Sequence, residues 1–139
     1  MTKLERYGPL AGRLLIALPF LDFGIYKLTN WTMMVGWLEL NGLPLPALLL
    51  GAAIVLELVG GTLLIAGART RWVAVALALY LVPVTFLLHD FWTFEGIVRQ
   101  GQRESFGKGL MIIGGLIFVA LQGAGAVSLD ERRERPAAP

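Results

Sequence analysis

The sequence has no cysteine and a single histidine, and only 16% of its 139 residues are charged. Without cysteine there can be no disulfide, no thiolate metal ligand and no cysteine-bound iron–sulfur cluster. A single histidine, His89, excludes bis-histidine haem ligation and multi-histidine metal centres within one chain. We therefore expect no metal site. Any redox chemistry would need a bound organic molecule or a partner protein.

The rest of the composition is strongly apolar. Hydrophobic residues make up 56% of the chain and the mean hydropathy is +0.68, which is high for a soluble domain. A bilayer core about 30 Å thick is crossed by ~20 apolar residues in a helix. Apolar stretches of that kind occur near residues 9–28, 46–66, 72–88 and 108–127. They predict an all-α integral membrane bundle of four transmembrane helices surrounded by lipid. The net charge of +2 is too small to indicate nucleic-acid binding.

The connection between the first two spans is longer than a turn requires. Its apolar residues Trp31, Met34, Val35 and Leu38 recur at helical spacing. This spacing predicts a short amphipathic helix lying in the membrane interface.

Basic residues outside the spans predict the orientation of the protein. They are concentrated in the amino-terminal tail, the connection between the second and third spans, and the carboxyl tail: Lys3, Arg6, Arg69, Arg71, Arg132, Arg133 and Arg135. Four spans put these regions on one side, so we expect both termini to be cytoplasmic. We predict a transmembrane domain over residues 1–130 and a disordered cytoplasmic tail over 131–139.

Ionisable side chains within or beside the spans cost free energy unless they are paired, so they are candidates for function. The candidate polar cluster contains Arg13, Asp22, Lys27, Glu57, His89 and Lys108. Glu57 lies about 16 Å along its span, near the midplane. Most of the other members are predicted to lie in the outer half, and Arg13 is predicted near the cytoplasmic boundary.

Two interpretations of this cluster remain open. In one, Glu57 pairs with a lysine or arginine and the network only fixes the packing of the helices. In the other, the cluster lines a pocket for a quinone head group or another small polar molecule. Lysine and His89 would then hydrogen-bond the ligand oxygens, and Glu57 would balance charge or relay protons. No catalytic motif is recognisable, so no catalytic residue is assigned.

Short motifs occur in order along nearly the whole chain. They include Gly12-Arg13-Leu14, Gly24 with Lys27-Leu28, Glu57-Leu58 before Gly60-Gly61, His89-Asp90-Phe91-Trp92, Lys108, and Ser128-Leu129-Asp130. In this ordered set the chain resembles the DoxX family of small four-helix bacterial membrane proteins. Asp22 departs from the pattern, which has a small or weakly polar residue there.

The resemblance implies a bacterial inner-membrane protein. Members of the family are associated with quinone-linked oxidoreductases and with membrane complexes that handle oxidative stress. The implied function is a quinone-associated accessory subunit with no covalent cofactor, working with a redox protein partner or as a homo-oligomer. The alternatives are a non-catalytic scaffold or assembly factor, and a small-molecule transporter acting as a dimer.

Overall fold

The computed structural model describes residues 1–134, and every regular element within them is helical. In chain order these are α1 (Lys3–Thr29), α2 (Trp31–Leu40), α3 (Pro46–Ala66), α4 (Thr70–Leu88), a 3-10 turn (Phe91–Thr93), α5 (Gly96–Gln122) and α6 (Leu129–Glu134). Four of them, α1, α3, α4 and α5, are long and apolar enough to cross a membrane. The predicted four-span bundle with a short helix between its first two spans is confirmed.

The fourth helix differs from its predicted limits of residues 108–127. It begins at Gly96 and ends at Gln122. Hydropathy marks where lipid-compatible residues begin, whereas arginine, glutamine and glutamate are good helix formers and continue the helix into the polar region. At the other end, Gly123 and Gly125 have φ angles of 85° and 77°, which ends the helix before residue 127.

Helical structure also extends beyond the predicted limits near both ends of the chain. Helix α1 begins six residues before the predicted span, because Thr2 and Glu5 form a capping box at its amino terminus. At the carboxyl end, residues 131–134 of the predicted tail belong to α6, while residues 135–139 lie outside the part of the chain that is described.

The bundle is built from two closely packed helix pairs. Helix α1 packs against α3, α4 packs against α5, and α3 joins the pairs by packing against α4. Close approach of α1 and α3 depends on Gly24, because a Cβ atom there would lie 2.7 Å from the Leu58 side chain. Helix α2 packs on α3 through Leu38, which joins Leu50 and Ile54 in a buried cluster. We call the end that carries α2 the α2 end, and the opposite end the turn end.

Asp130 closes the turn end. Its carboxylate accepts hydrogen bonds from the backbone N–H groups of Arg69, at 2.7 Å, and Thr70, at 2.9 Å. The Asp130 N–H donates to the carbonyl of Gly67 at 2.9 Å. A carboxylate at the amino terminus of α4 satisfies free N–H groups and interacts favourably with the helix dipole. Asp130 therefore caps α4 from a distant part of the chain and attaches α6 to the bundle.

This contact lowers the pKa of the Asp130 carboxyl. Partial burial opposes ionisation of the carboxyl, but the N–H groups of Thr70 and Arg69 outweigh it, and the pKa of Asp130 lies below its usual value. A lowered folded-state pKa adds stability above the unfolded pKa of about 3.9, and that stability disappears as the pH falls through the folded value.

We expect Asp130→Asn to lower the free energy of unfolding by about 1 kcal/mol at neutral pH, because an amide cannot accept both N–H bonds with full charge. Thermal unfolding of the detergent-solubilised protein between pH 3 and 7 measures this. The gap between wild type and variant should close toward pH 3. Glu104→Gln, which changes an exposed carboxylate on α5 in the same way, is the control. A gap that stays constant with pH would contradict the ionic cap.

Candidate functional site

A buried ion pair joins α1 to α3 toward the α2 end. The Lys27 ammonium donates to Glu57 Oε1 at 2.5 Å, and the Tyr80 hydroxyl of α4 donates to the same oxygen at 2.7 Å. Glu57 is 2% exposed, and its other oxygen, Oε2, has no hydrogen-bond partner among the described residues. Three spanning helices thus contribute to one carboxylate, and that carboxylate keeps a free acceptor.

The polar triad of Lys27, Glu57 and Tyr80 lines a cavity of about 670 Å³. Most of the other lining side chains are apolar, and they come from α1, α2, α3 and α4. Small-molecule sites in proteins have volumes of about 300–1,000 Å³ and are mainly apolar with a few placed polar groups. This cavity has both properties.

The cavity reaches the protein surface between spanning helices. Its exposed lining residues include four large ones: Phe23 at 45%, Tyr26 at 51%, Leu49 at 41% and Leu87 at 64%. All four belong to helices long and apolar enough to cross a membrane. The exposed surface around the opening is therefore one that lipid would cover.

Two prolines inside spanning helices also line the cavity, Pro19 on α1 and Pro83 on α4. Proline has no N–H and disturbs the helix one turn before it. Both helices continue through these prolines, and each proline leaves one backbone carbonyl of its helix without the usual N–H donor.

His89 also contributes to the cavity wall. It is the residue that ends α4, and its Nδ1 lies 2.9 Å from Gln102 Oε1 on α5. The predicted cluster members Lys27, Glu57 and His89 are thus brought to one cavity.

Arg13 lies at the turn end, away from this cavity. It is 1% exposed, and Nη1 donates to the Leu64 carbonyl at 2.9 Å while Nη2 donates to the Val127 carbonyl at 2.6 Å. Arg71 serves α5 similarly, donating to the Leu121 carbonyl at 2.6 Å. The last carbonyls of a helix have no intrahelical partner, and arginine supplies one. Arg13 is therefore positioned to close helix ends.

Asp22 and Lys108 lie outside the cavity lining, and both are exposed on the bundle. The sequence placed Lys108 at the start of the fourth span, but it falls within α5, since that helix begins at Gly96. Whether Asp22, Lys108 or Arg13 affects binding stays a prediction, and the Lys108→Ala variant below tests one of them.

Tyr80 is a site residue that the sequence-based cluster omitted. A tyrosine in an apolar span resembles an ordinary packing residue, because it carries no charge at neutral pH. A signal was nevertheless present: a buried tyrosine hydroxyl needs a hydrogen-bond partner. Among the spans, Glu57 is an acceptor near the midplane.

The similarity of the chain to known proteins identifies its family. The DoxX family model matches residues 8–90, more than half of the chain. The chain belongs to the DoxX family. The matched range contains the triad of Lys27, Glu57 and Tyr80 and also His89.

Its relatives include two bacterial proteins of similar length. Inner membrane protein YqjF of Escherichia coli (strain K12) is 33% identical over 130 residues, which cover 94% of this chain and 95% of that protein. Inner membrane protein YphA of the same organism is 30% identical over 123 residues, covering 88% of each chain. This is therefore a DoxX-family membrane protein of the inner-membrane type.

A eukaryotic relative is longer. The ER-derived vesicles protein ERV29 of Saccharomyces cerevisiae is 28% identical over 132 residues, covering 95% of this chain and 36% of that protein. No solved structure matches the chain.

We predict that Arg13→Lys lowers the free energy of unfolding by about 3 kcal/mol, because one ammonium cannot satisfy the separate carbonyls of Leu64 and Val127. The measurement is thermal unfolding in detergent. Arg6→Lys, at an exposed arginine of the same helix, provides the matched control. Equal stability of the two variants would show that the guanidinium fork is unnecessary.

Proposed function

We propose that this DoxX protein binds a quinone-type molecule in the cavity at the α2 end and works as an accessory subunit of a membrane redox or oxidative-stress complex. The observation that carries the proposal is the unpaired Oε2 of Glu57, buried in the wall of a largely apolar cavity beside the Lys27 ammonium. A buried polar atom without a partner costs free energy. A head group that donates a hydrogen bond to it would remove that cost.

The residues fit such a head group. An ammonium group has more N–H donors than the one that Lys27 gives to Glu57, so Lys27 can also donate to a ligand oxygen. The Phe23 ring lies against the same ammonium, 5.9 Å from its nitrogen, and supplies an apolar wall for a flat ring. A polar ring thus meets donors and acceptors on one side and apolar side chains on the others.

The opening suits a molecule that arrives from lipid. Exposed Phe23, Tyr26 and Leu87 border the cavity on spanning helices, so an isoprenoid tail could remain in the bilayer while the ring enters. Apolar burial stabilises by about 25 cal/mol per Å² only when the surface leaves water. A tail that moves from lipid into an apolar groove leaves no water, so this move contributes little to the binding free energy. Binding would therefore depend mainly on the ring and its polar contacts.

The need for a partner follows from the side chains of this chain. It has no cysteine and one histidine, and the described residues contain no cluster of three or more potential metal ligands. The quinone would supply the two-electron chemistry when bound. An electron donor or acceptor would then come from another protein of the membrane.

The scaffold alternative has one observation in its favour. Arg13, Arg71 and Asp130 are structural contacts that bind helix ends together at the turn end. A scaffold, however, needs no large cavity beside an incompletely paired carboxylate. Transport receives less support, because the cavity extends no further than Pro19 on α1 and Ile112 on α5. The fully buried Ala17, Leu64 and Leu116 lie in the core beyond them.

We expect quinone to co-purify with the wild-type protein in detergent. The amount of bound quinone should be roughly tenfold lower in Glu57→Gln and in Lys27→Ala. Mass spectrometry of the extracted lipids, normalised to protein, gives the ratio. Tyr80→Phe should lose less, because Lys27 still holds the carboxylate.

Matched controls separate the cavity from surface charge. Glu104→Gln and Lys108→Ala change exposed residues on α5 and should retain the wild-type amount of quinone. Loss in Lys108→Ala would instead support the wider cluster expected from the sequence. Absence of quinone from the wild type would contradict a tightly held ligand and favour the scaffold.

We further propose that both termini face the cytoplasm, which puts the cavity near the periplasmic side. Lys3, Arg6, Arg69, Arg71, Arg132 and Arg133 all lie at one side in that arrangement. Fluorescent-protein fusions at either terminus should fluoresce, and alkaline phosphatase inserted after Gly42 should be active. Active phosphatase at the carboxyl terminus would reverse the orientation.

A further inference from the structure

The polar atoms around the cavity differ in whether they already have a hydrogen-bond partner. At Glu57 both available donors, the Lys27 ammonium and the Tyr80 hydroxyl, bind Oε1. Neither donates to Oε2, and no other described residue does. The paired oxygen is saturated, while the unpaired one is an empty acceptor.

The unpaired oxygen is an acceptor and not a hidden donor. Glu57 forms an ion pair with the Lys27 ammonium, which lies 2.5 Å from Oε1, and the same oxygen accepts from the Tyr80 hydroxyl. An ionised carboxylate accepts hydrogen bonds at both oxygens and donates none. Oε2 of Glu57 therefore requires a donor.

Hydrogen-bond donors lie beside this acceptor. Lys27 gives one N–H group of its ammonium to Glu57 Oε1 and keeps further N–H groups, and both residues line the cavity. Glu57 thus brings an unpaired acceptor to the cavity wall, next to the remaining N–H groups of Lys27.

From these contacts we infer that the cavity selects ligands whose ring carries a hydroxyl donor. It binds the hydroquinone form, or another phenol, more tightly than the corresponding quinone. The inference rests on the proposed function and specifies the form of the ligand that the site recognises. A hydroquinone hydroxyl can donate to Glu57 Oε2, and its oxygen can accept from Lys27.

The quinone form meets a less favourable site. Its carbonyl oxygens can accept from Lys27, but they have no proton for Glu57 and would face the unpaired carboxylate oxygen. Sites built to pair with a ligand O–H reject analogues that lack it, because their own buried polar groups stay unsatisfied. Selectivity between the two forms therefore follows from Glu57, whereas the apolar walls treat both alike.

The experiment compares two redox-inert probes on the purified full-length protein in detergent. These are 4-heptylphenol and its methyl ether, 4-heptylanisole, which differ in the O–H proton and one methyl group. Isothermal titration calorimetry should give an affinity for the phenol at least about tenfold higher than for the ether. A short-chain hydroquinone against its quinone, titrated anaerobically, should give the same order.

Variants assign the selectivity to one atom. In Glu57→Gln the phenol-to-ether ratio should fall to about one-tenth of its wild-type value or less, because the amide replaces the charged acceptor. Tyr80→Phe should preserve the ratio, since Oε2 is unchanged, and Glu104→Gln is the exposed control. If Glu57→Gln misfolds, the wild-type affinities for the phenol and the ether still test the inference. Tyr80→Phe, which keeps the Glu57 carboxylate, then serves as the variant of the site.

Each outcome has a distinct meaning. Equal affinity for the phenol and the ether overturns the selectivity while leaving the cavity as a quinone-type site. Preference for the quinone or the ether overturns it as well. If neither probe nor any quinone binds the wild type, the proposed function fails together with the inference.

Discussion

A polar group inside a bilayer must find its partner within the protein, because the hydrocarbon offers no water, and this constraint governs both ends of the bundle. At the turn end the helix ends meet it through charged side chains, although Arg13 Nε and Thr70 Oγ1 have no hydrogen-bond partner among the described residues. The terminal carbonyls of α3 and α5 receive Arg13 and Arg71, and the amino terminus of α4 receives the Asp130 carboxylate. Each contact joins segments that are distant in sequence, so satisfying helix ends also sets how the four spans pack.

At the α2 end the Glu57 carboxylate meets it at one oxygen. Lys27 and Tyr80 both donate to Oε1, Oε2 has no partner among the described residues, and Glu57 lines a cavity. A buried ion pair is a weak source of stability compared with well-packed apolar side chains. If packing were its only role, the triad would be a costly way to join α1, α3 and α4. Its position in a cavity wall is better explained by a ligand that completes the hydrogen bonding.

The sequence predicted the spans and α2 well, because hydropathy and helical spacing are local properties. It predicted the site less completely. Depth along a span can be counted from the sequence, but the face of a side chain and its partner depend on packing. Arg13 and Glu57 are both buried charges in apolar segments, yet one binds helix-end carbonyls and the other an ammonium. Lys108 was placed at a helix start because hydropathy locates lipid contact, whereas α5 continues through its polar first turns.

Affinity and selectivity are carried by different parts of the cavity. Its apolar walls, among them Phe23 and Leu87, are shared with the lipid-facing surface, and they can hold any flat apolar ring with little discrimination. Discrimination depends on the few polar atoms, and among these only Glu57 Oε2 is both buried and unpaired. In a bilayer full of apolar competitors, a site that relied on its walls would be occupied by lipid tails. One buried, charged acceptor at the base of an apolar cavity gives a ligand with a matching donor an advantage that no lipid tail can share.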